Sequence, residues 1–256
     1  MAVSVIAHRG SNKVAPQNTL PAFRQAIAEG ADGFETDVHV TRDGKLVICH
    51  NYTIDATSDG RGAITSYTLG ELKKMDFGGY FSDEFKGTPP PSLDEFLDLV
   101  GQTDSELINI ELKKPMENES GIEEKTVAAI RAHGLVDRVI ISSFSAGILK
   151  NIKELEPRVR TGFLYPTIYS SASRFVVNPF FIVRRIHADY IHPMAPVVTP
   201  LLVKTAHKLG VKVNVWTVDD QKTVRRLVDC GVDGIITDVP GKTRAWIDER
   251  EKQKRK

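Results

Sequence analysis

The sequence predicts an α/β fold of the TIM (β/α)8 barrel type, carrying a small inserted subdomain after the second barrel strand and its hairpin arm. Three observations lead there. Short apolar runs rich in Val and Ile alternate with segments of helical periodicity along nearly the whole chain, which is how parallel strands joined by covering helices read. Eight such runs can be placed, and eight βα units in one domain close on themselves. The length of 256 residues is that of one such barrel.

The expected strands lie at 3–7, 33–37, 107–111, 139–142, 161–164, 189–192, 212–216 and 234–237. Between them, helical periodicity marks 19–29, 93–100, 122–132, 146–155, 201–208 and 221–229. Two stretches echo each other, Gly30-Ala-Asp-Gly-Phe-Glu-Thr-Asp-Val38 and Gly231-Val-Asp-Gly-Ile-Ile-Thr-Asp-Val239. Each opens on a glycine suited to the left-handed turn that ends a helix and then enters a strand. The echo sets Asp37 and Asp238 at equivalent strand ends, where barrel enzymes keep their chemistry.

A ninth run, 45–49, follows the second strand with no helix between. Asp43-Gly44 reads as a two-residue hairpin turn. Antiparallel pairing about that turn sets Asp37 opposite His50. From 51 to 92 the pattern is broken by Gly, Pro, Asp and Thr around one short helical stretch at 68–75, which reads as the inserted subdomain. The run 175–186, with Phe180, Phe181, Ile182 and Val183, reads as the sixth helix; an exposed part of it would serve a homodimer or form a lip for lipid-derived substrates. One domain is expected over 1–248, followed by a charged C-terminal tail, 249–256, as a fraying helix end.

Composition excludes several function classes. With 34 basic against 33 acidic side chains, the net charge of +1 supplies no global field for nucleic acid or an anionic membrane. Cys49 and Cys230 stand in no zinc or redox spacing. The first ten residues lack a basic segment followed by a long apolar stretch, and the densest apolar run is interrupted by Asn178 and Pro179. A cytoplasmic protein with no transmembrane segment and no nucleic-acid partner is expected.

Polar residues gather at the predicted strand ends: His8-Arg9, Glu35 with Asp37, Glu111 with Lys113, and His50 on the hairpin arm. Burying such charges is costly unless they pair or bind a metal. Glu35 and Asp37 are two apart and share a strand face. Alone they would also suit an ion-paired strand end. With Glu111 they offer three hard oxygen ligands, a set that fits one divalent cation, Mg2+ or Ca2+, better than zinc. Arg9 and Lys113 supply positive charge for a phosphodiester, although Lys113 also suits Glu111 as a partner. Two histidines suit the proton transfers. His39, His133, His187 and His207 read as structural or exposed, whereas His192, ending a strand before Pro193, can face the barrel mouth.

Taken in order, His8-Arg9-Gly10, Pro16-Gln17-Asn18-Thr19, Glu35-x-Asp37, Thr41-x-Asp43-Gly44, His50, Glu111-x-Lys113, Ser143-Phe144, Trp216-Thr217-Val218 and the segment Gly231 to Asp238 resemble the glycerophosphodiester phosphodiesterases. The likeness runs from the N-terminus nearly to Pro240. It implies metal-dependent hydrolysis of glycerophosphodiesters to sn-glycerol 3-phosphate and an alcohol, on a barrel with a small insertion. It implies His8 and His50 as the catalytic acid and base, with His50 favoured as the base. It implies Arg9 and Lys113 on phosphate, Phe144 and Trp216 as walls of the substrate pocket, and the cation on Glu35, Asp37 and Glu111. Where the family usually has Pro-Glu-Asn-Thr this chain has Gln17, and where His-Asp is usual it has His50-Asn51. Each change swaps a carboxylate for an amide of similar shape, which keeps hydrogen bonding and loses charge. The expected effect falls on the orientation and basicity of the histidines. Two alternatives follow: a phospholipase D-like or phosphoinositide-type phosphodiesterase acting on intact lipid, or a catalytically weak protein that binds glycerophosphodiesters.

Overall fold

A computed structural model describes residues 2–113, 121–165 and 179–254. Strand β1 (Ser4–His8), β2 (Gly33–Val40), β3 (Leu46–Ile48), β4 (Leu107–Leu112), β5 (Val139–Ser143), β6 (Arg160–Tyr165), β7 (Tyr190–Pro193), β8 (Lys212–Val215) and β9 (Gly234–Thr237) form one sheet. Its order is β1-β9-β8-β7-β6-β5-β4-β2-β3, and β1 also pairs with β2, so eight parallel strands close into a barrel with β3 as an antiparallel arm.

Helix α1 (Leu20–Ala28) follows β1, α2 (Leu69–Leu72) and α3 (Leu93–Gly101) come after the arm, and α4 (Ile122–Ala132) and α5 (Ala146–Leu155) follow β4 and β5. Then α6 (Pro179–Arg185), α7 (Pro200–Lys208), α8 (Gln221–Cys230) and α9 (Pro240–Lys254) complete the outer layer. Their starts are written in the sequence: Thr19 caps α1, Ser92 and Glu95 form a reciprocal box at α3, and Asp220 caps α8. Gly231 ends α8 at φ 78° and Gly30 follows α1 at φ 72°, the left-handed conformation expected of both. The core lies between strands and helices and includes Val5, Phe23, Phe34, Phe96, Ile110 and Leu149. Val47, Cys49, Ile54, Ile64, Leu72 and Phe77 form a second, smaller apolar cluster under the segment after the arm.

One expectation changes. The arm pairs Val38 with Ile48 and Val40 with Leu46, one residue out of the predicted register. The loop is three residues, Arg42-Asp43-Gly44, closed by the Thr41 N–H on the Lys45 carbonyl at 2.8 Å, with Gly44 at φ 73°. Asp37 therefore faces Cys49, whose N–H donates to the Asp37 carbonyl at 3.1 Å, and not His50. Thr41 drives the change, because its hydroxyl bonds Asp43 and the Lys45 carbonyl and widens the turn. At the other end, residues 249–254, read as a fraying helix end, are the last part of α9, where Arg250 pairs with Asp229 at 2.7 Å and Lys254 reaches the Val228 carbonyl at 3.2 Å. The sixth helix covers Pro179–Arg185, and 175–178 of the predicted run lie outside the described residues.

Candidate active site

Strand register assembles the site. His8 stands beside Glu35 across the β1–β2 pair, and Asp37 beside Glu111 across the β2–β4 pair. Ligand oxygens of Glu35, Asp37 and Glu111 all lie within 4.8 Å of one another, and all three residues are buried. The Lys113 ammonium sits between two of them, 2.7 Å from Asp37 Oδ1 and 2.7 Å from Glu111 Oε1. Arg9 Nε lies 3.4 Å from Asp37 Oδ2, and the Arg9 guanidinium donates to Gln17 Oε1 at 2.6 Å. Asn18 Nδ2 donates to Asp37 Oδ2 at 2.8 Å while its own oxygen accepts from Thr36.

Two non-glycine residues of this loop, Arg9 and Asn18, hold left-handed backbones at φ 55° and 56°. The Asn18 N–H donates to the Arg9 carbonyl at 2.9 Å. Gly10, between Arg9 and Ser11, has φ 83°, and a Cβ there would lie 2.6 Å from the Ala22 carbonyl carbon. Strain of this kind persists where the surroundings over-determine the backbone, which is common at functional sites.

The electrostatics would suit a bound cation. Burial and the neighbouring Asp37 push the Glu35 carboxyl well above the usual range, and the same two causes raise Glu111. For Asp37 burial acts upward as well, but Lys113 and Arg9 outweigh it and hold the group well below the usual range. Lys113 is raised, since Asp37 and Glu111 overcome its burial. Three carboxylates against two cations leave one negative charge; a dication would leave one positive charge, enough to draw a phosphodiester anion.

The histidines occupy different settings. His8 Nδ1 meets Asp238 Oδ1 at 2.6 Å and its Nε2 lies 3.9 Å from Glu35 Oε2. His50 Nδ1 donates to Asn51 Oδ1 at 2.7 Å, and burial pushes the ring down to about 4, against a smaller upward pull from Asp37. A cavity of about 580 Å3 is lined by His50, Tyr52, Glu111, Lys113 and Phe144, among others. Trp216 backs Phe144 edge to face, with ring centroids 5.8 Å apart, and its indole N–H donates to the His192 carbonyl at 2.6 Å.

The structure thus brings Glu35, Asp37, Glu111, Arg9 and Lys113 into one cluster flanked by His8 and His50, with Phe144 and Trp216 along the mouth. Gln17 bonds Arg9 and not a histidine, so of the two amide substitutions only Asn51 touches an imidazole. Sequence reasoning left two residues without a role. Asn18 holds Asp37, and Asp238 holds His8; the signal for the latter was the echoed segment Gly231 to Asp238, which ends on it. His192 does not face the mouth: it is fully buried in the barrel, its Nε2 3.4 Å from Asn214 Nδ2. His39 is structural, buried in β2 with its ring edge on Tyr52 at 5.1 Å.

Comparison with known proteins places this arrangement. Residues 8–242 match the sequence family described as the glycerophosphoryl diester phosphodiesterase family. A glycerophosphodiester phosphodiesterase of Caldanaerobacter subterraneus subsp. tengcongensis is 42% identical over 240 residues, 94% of this chain and 96% of that one. One from Bacillus altitudinis is 35% identical, over 92% and 94% of the two chains. Among solved structures, a glycerophosphodiester phosphodiesterase of Agrobacterium tumefaciens superposes with a TM-score of 0.81 at 28% identity, covering 95% of this chain and 99% of that one. An Oleispira antarctica phosphodiesterase in complex with the product sn-glycerol-3-phosphate gives 0.83 at 29%, covering 96% and 97%.

Proposed function

The chain belongs to the glycerophosphoryl diester phosphodiesterase family, and on that premise we propose that it hydrolyses glycerophosphodiesters to sn-glycerol 3-phosphate and an alcohol, with one divalent cation, Mg2+ or Ca2+, on Glu35, Asp37 and Glu111. The observation that carries this reading is the convergence of three buried carboxylates within 4.8 Å beside two imidazoles. The donor set fits the ion: all-oxygen, anionic and dry, with Glu35 penalised for its charge until a cation arrives. When bound, such an ion polarises a phosphoryl oxygen and offsets the charge that builds there.

The chain's own groups do the rest. Arg9 and Lys113 orient the phosphodiester by its non-bridging oxygens. His50, neutral at pH 7 and with Nδ1 tied to Asn51, takes the proton of the attacking hydroxyl at Nε2. His8, whose proton-bearing form is paired with Asp238, gives its Nε2 proton to the leaving alkoxide oxygen as the P–O bond breaks. Phe144 and Trp216 wall the pocket and thin the water around the reacting atoms. Cys49 and Cys230, unpaired, support a reducing, cytoplasmic setting.

Purified protein supplied with Mg2+ or Ca2+ is expected to release sn-glycerol 3-phosphate from glycerophosphocholine or glycerophosphoethanolamine, and chelator to abolish the release. If no diester in a panel is cleaved with any divalent cation, the reading fails. Turnover of vesicle lipid in preference to soluble diesters would favour the intact-lipid alternative. Gln17 and Asn51 each keep a hydrogen bond to a site residue, and brisk turnover would rule out binding without chemistry.

A further inference from the structure

Asp238 closes β9 next to β1 and is engaged from every side. Its Oδ1 accepts from His8 Nδ1 at 2.6 Å and from Asn12 Nδ2 at 2.6 Å, and its Oδ2 lies 3.0 Å from the Lys13 ammonium. Its backbone N–H donates to Asp219 Oδ1 at 2.8 Å, which also accepts from Thr237 Oγ1. Asn12 donates a second bond to the His8 carbonyl at 2.8 Å, so carboxylate and histidine backbone are tied to one amide. Burial opposes ionisation of Asp238, but hydrogen bonds from His8, Asn12 and Lys13 outweigh it and hold the group well below the usual carboxylate range.

An imidazole fixed at one nitrogen has its tautomer and ring plane fixed at the other. With Nδ1–H on Asp238, Nε2 is turned toward Glu35, 3.9 Å away, and so toward the cation cluster. We propose that Asp238 is the positioning residue of His8, clamping its Nδ1–H so that Nε2 meets the leaving oxygen, with Asn12, Lys13 and Asp219 holding the clamp. This rests on the reading of His8 as the proton donor. Asp238 itself touches neither the ester nor the metal ligands in that scheme; it acts through the ring. An amide is a poor substitute. Both carboxylate oxygens take donors, and the single oxygen of Asp238→Asn cannot satisfy Lys13 on one side and His8 with Asn12 on the other. Turned to suit Lys13, it presents N–H to Nδ1, which must then accept; the ring can no longer carry protons on both nitrogens, and the Nε2–H of a neutral imidazole is too weak an acid to protonate the leaving oxygen.

The test is a double-mutant cycle read with two leaving groups. Asp238→Asn is expected to lower kcat on glycerophosphocholine about 100-fold with little change in KM, and to lower it far less on the p-nitrophenyl ester of glycerol phosphate, whose leaving group departs unprotonated. In a His8→Ala background the same substitution should cost less than about threefold. Activity on the p-nitrophenyl ester reports folding of every variant. Equal losses on both substrates, or a loss that persists in full when His8 is absent, would overturn the clamp. A His8→Ala variant with undiminished activity on glycerophosphocholine would instead overturn His8 as the donor, which separates the two failures.

Discussion

The two imidazoles beside the carboxylate cluster differ in what holds them, Asp238 for His8 and Asn51 for His50. Asn51 accepts from His50 Nδ1 without adding charge, and burial keeps the ring down to about 4. A base must be neutral to act, so activity is lost as pH falls through its pKa. Asn51→Asp places a carboxylate on Nδ1 and favours the imidazolium. The acid limb of the kcat/KM profile should therefore move upward in Asn51→Asp relative to the unaltered enzyme; an unmoved or lowered limb would show that His50 is not the group titrating there. His192 makes the opposite kind of statement, about stability. Burial holds it down to about 3, while an unfolded histidine titrates at about 6.5. The folded state is favoured in full above about 6.5 and loses that advantage as pH falls toward 3, because only the unfolded chain takes up the proton. In urea unfolding, the difference in stability between the native chain and His192→Gln should shrink by roughly 1 kcal/mol per pH unit below pH 6. At this scale the sequence was informative about carboxylates and cations, since a strand end that is to be buried carries charge only where the charge is paired or binds an ion. It said little about Asp238 and Asn18, whose partners His8 and Asp37 lie 230 and 19 residues away.

Among elements, the hairpin arm shows where pattern reading fails. The strand and its antiparallel sense were legible from Asp43-Gly44 and the missing helix, yet the register slipped by one. The turn was read from two residues, while a third, Arg42, belongs to the loop that Thr41 organises. Barrel strands were safer, because the Val and Ile runs are buried on both faces and a parallel register is pinned by many neighbours. Helix α9 was legible only at its charged end for a related reason: its surface is charged nearly all round, and Pro240, Thr243 and Ile247 are the residues buried along it. The loop from β1 to α1 is the element on which the site depends most. Its backbone at Gly10 needs positive φ, and α1 leaves no room for a side chain. Gly10→Ala should destabilise the protein by about 2–4 kcal/mol, through strain and overpacking together, and should lower activity by displacing His8 and Arg9. Near-native stability in denaturant would show that α1 and the loop are not rigidly packed.

At the scale of the whole molecule, barrel closure turns a set of separated motifs into one site. Residues from β1, β2, the arm, β4 and β9 meet at the carboxyl ends of the strands, because parallel strands in register deliver their last side chains to one rim. That convergence was the part of the function most legible in the sequence: the spacing of Glu35 and Asp37 set their common face, and Glu111 had to come from a neighbouring strand. Which loops shape the alcohol side of the pocket was not legible, since the segment after the arm folds around its own apolar cluster and no periodicity marks how it meets the barrel.

Glu35, Asp37 and Glu111 are proposed to hold one cation between them. Calorimetric titration of Mg2+ or Ca2+ into chelator-treated protein tests this most directly. One ion per chain is expected for the native sequence and none for Asp37→Asn combined with Glu111→Gln. Undiminished one-to-one binding by that double variant, or no binding by the native chain, would contradict it.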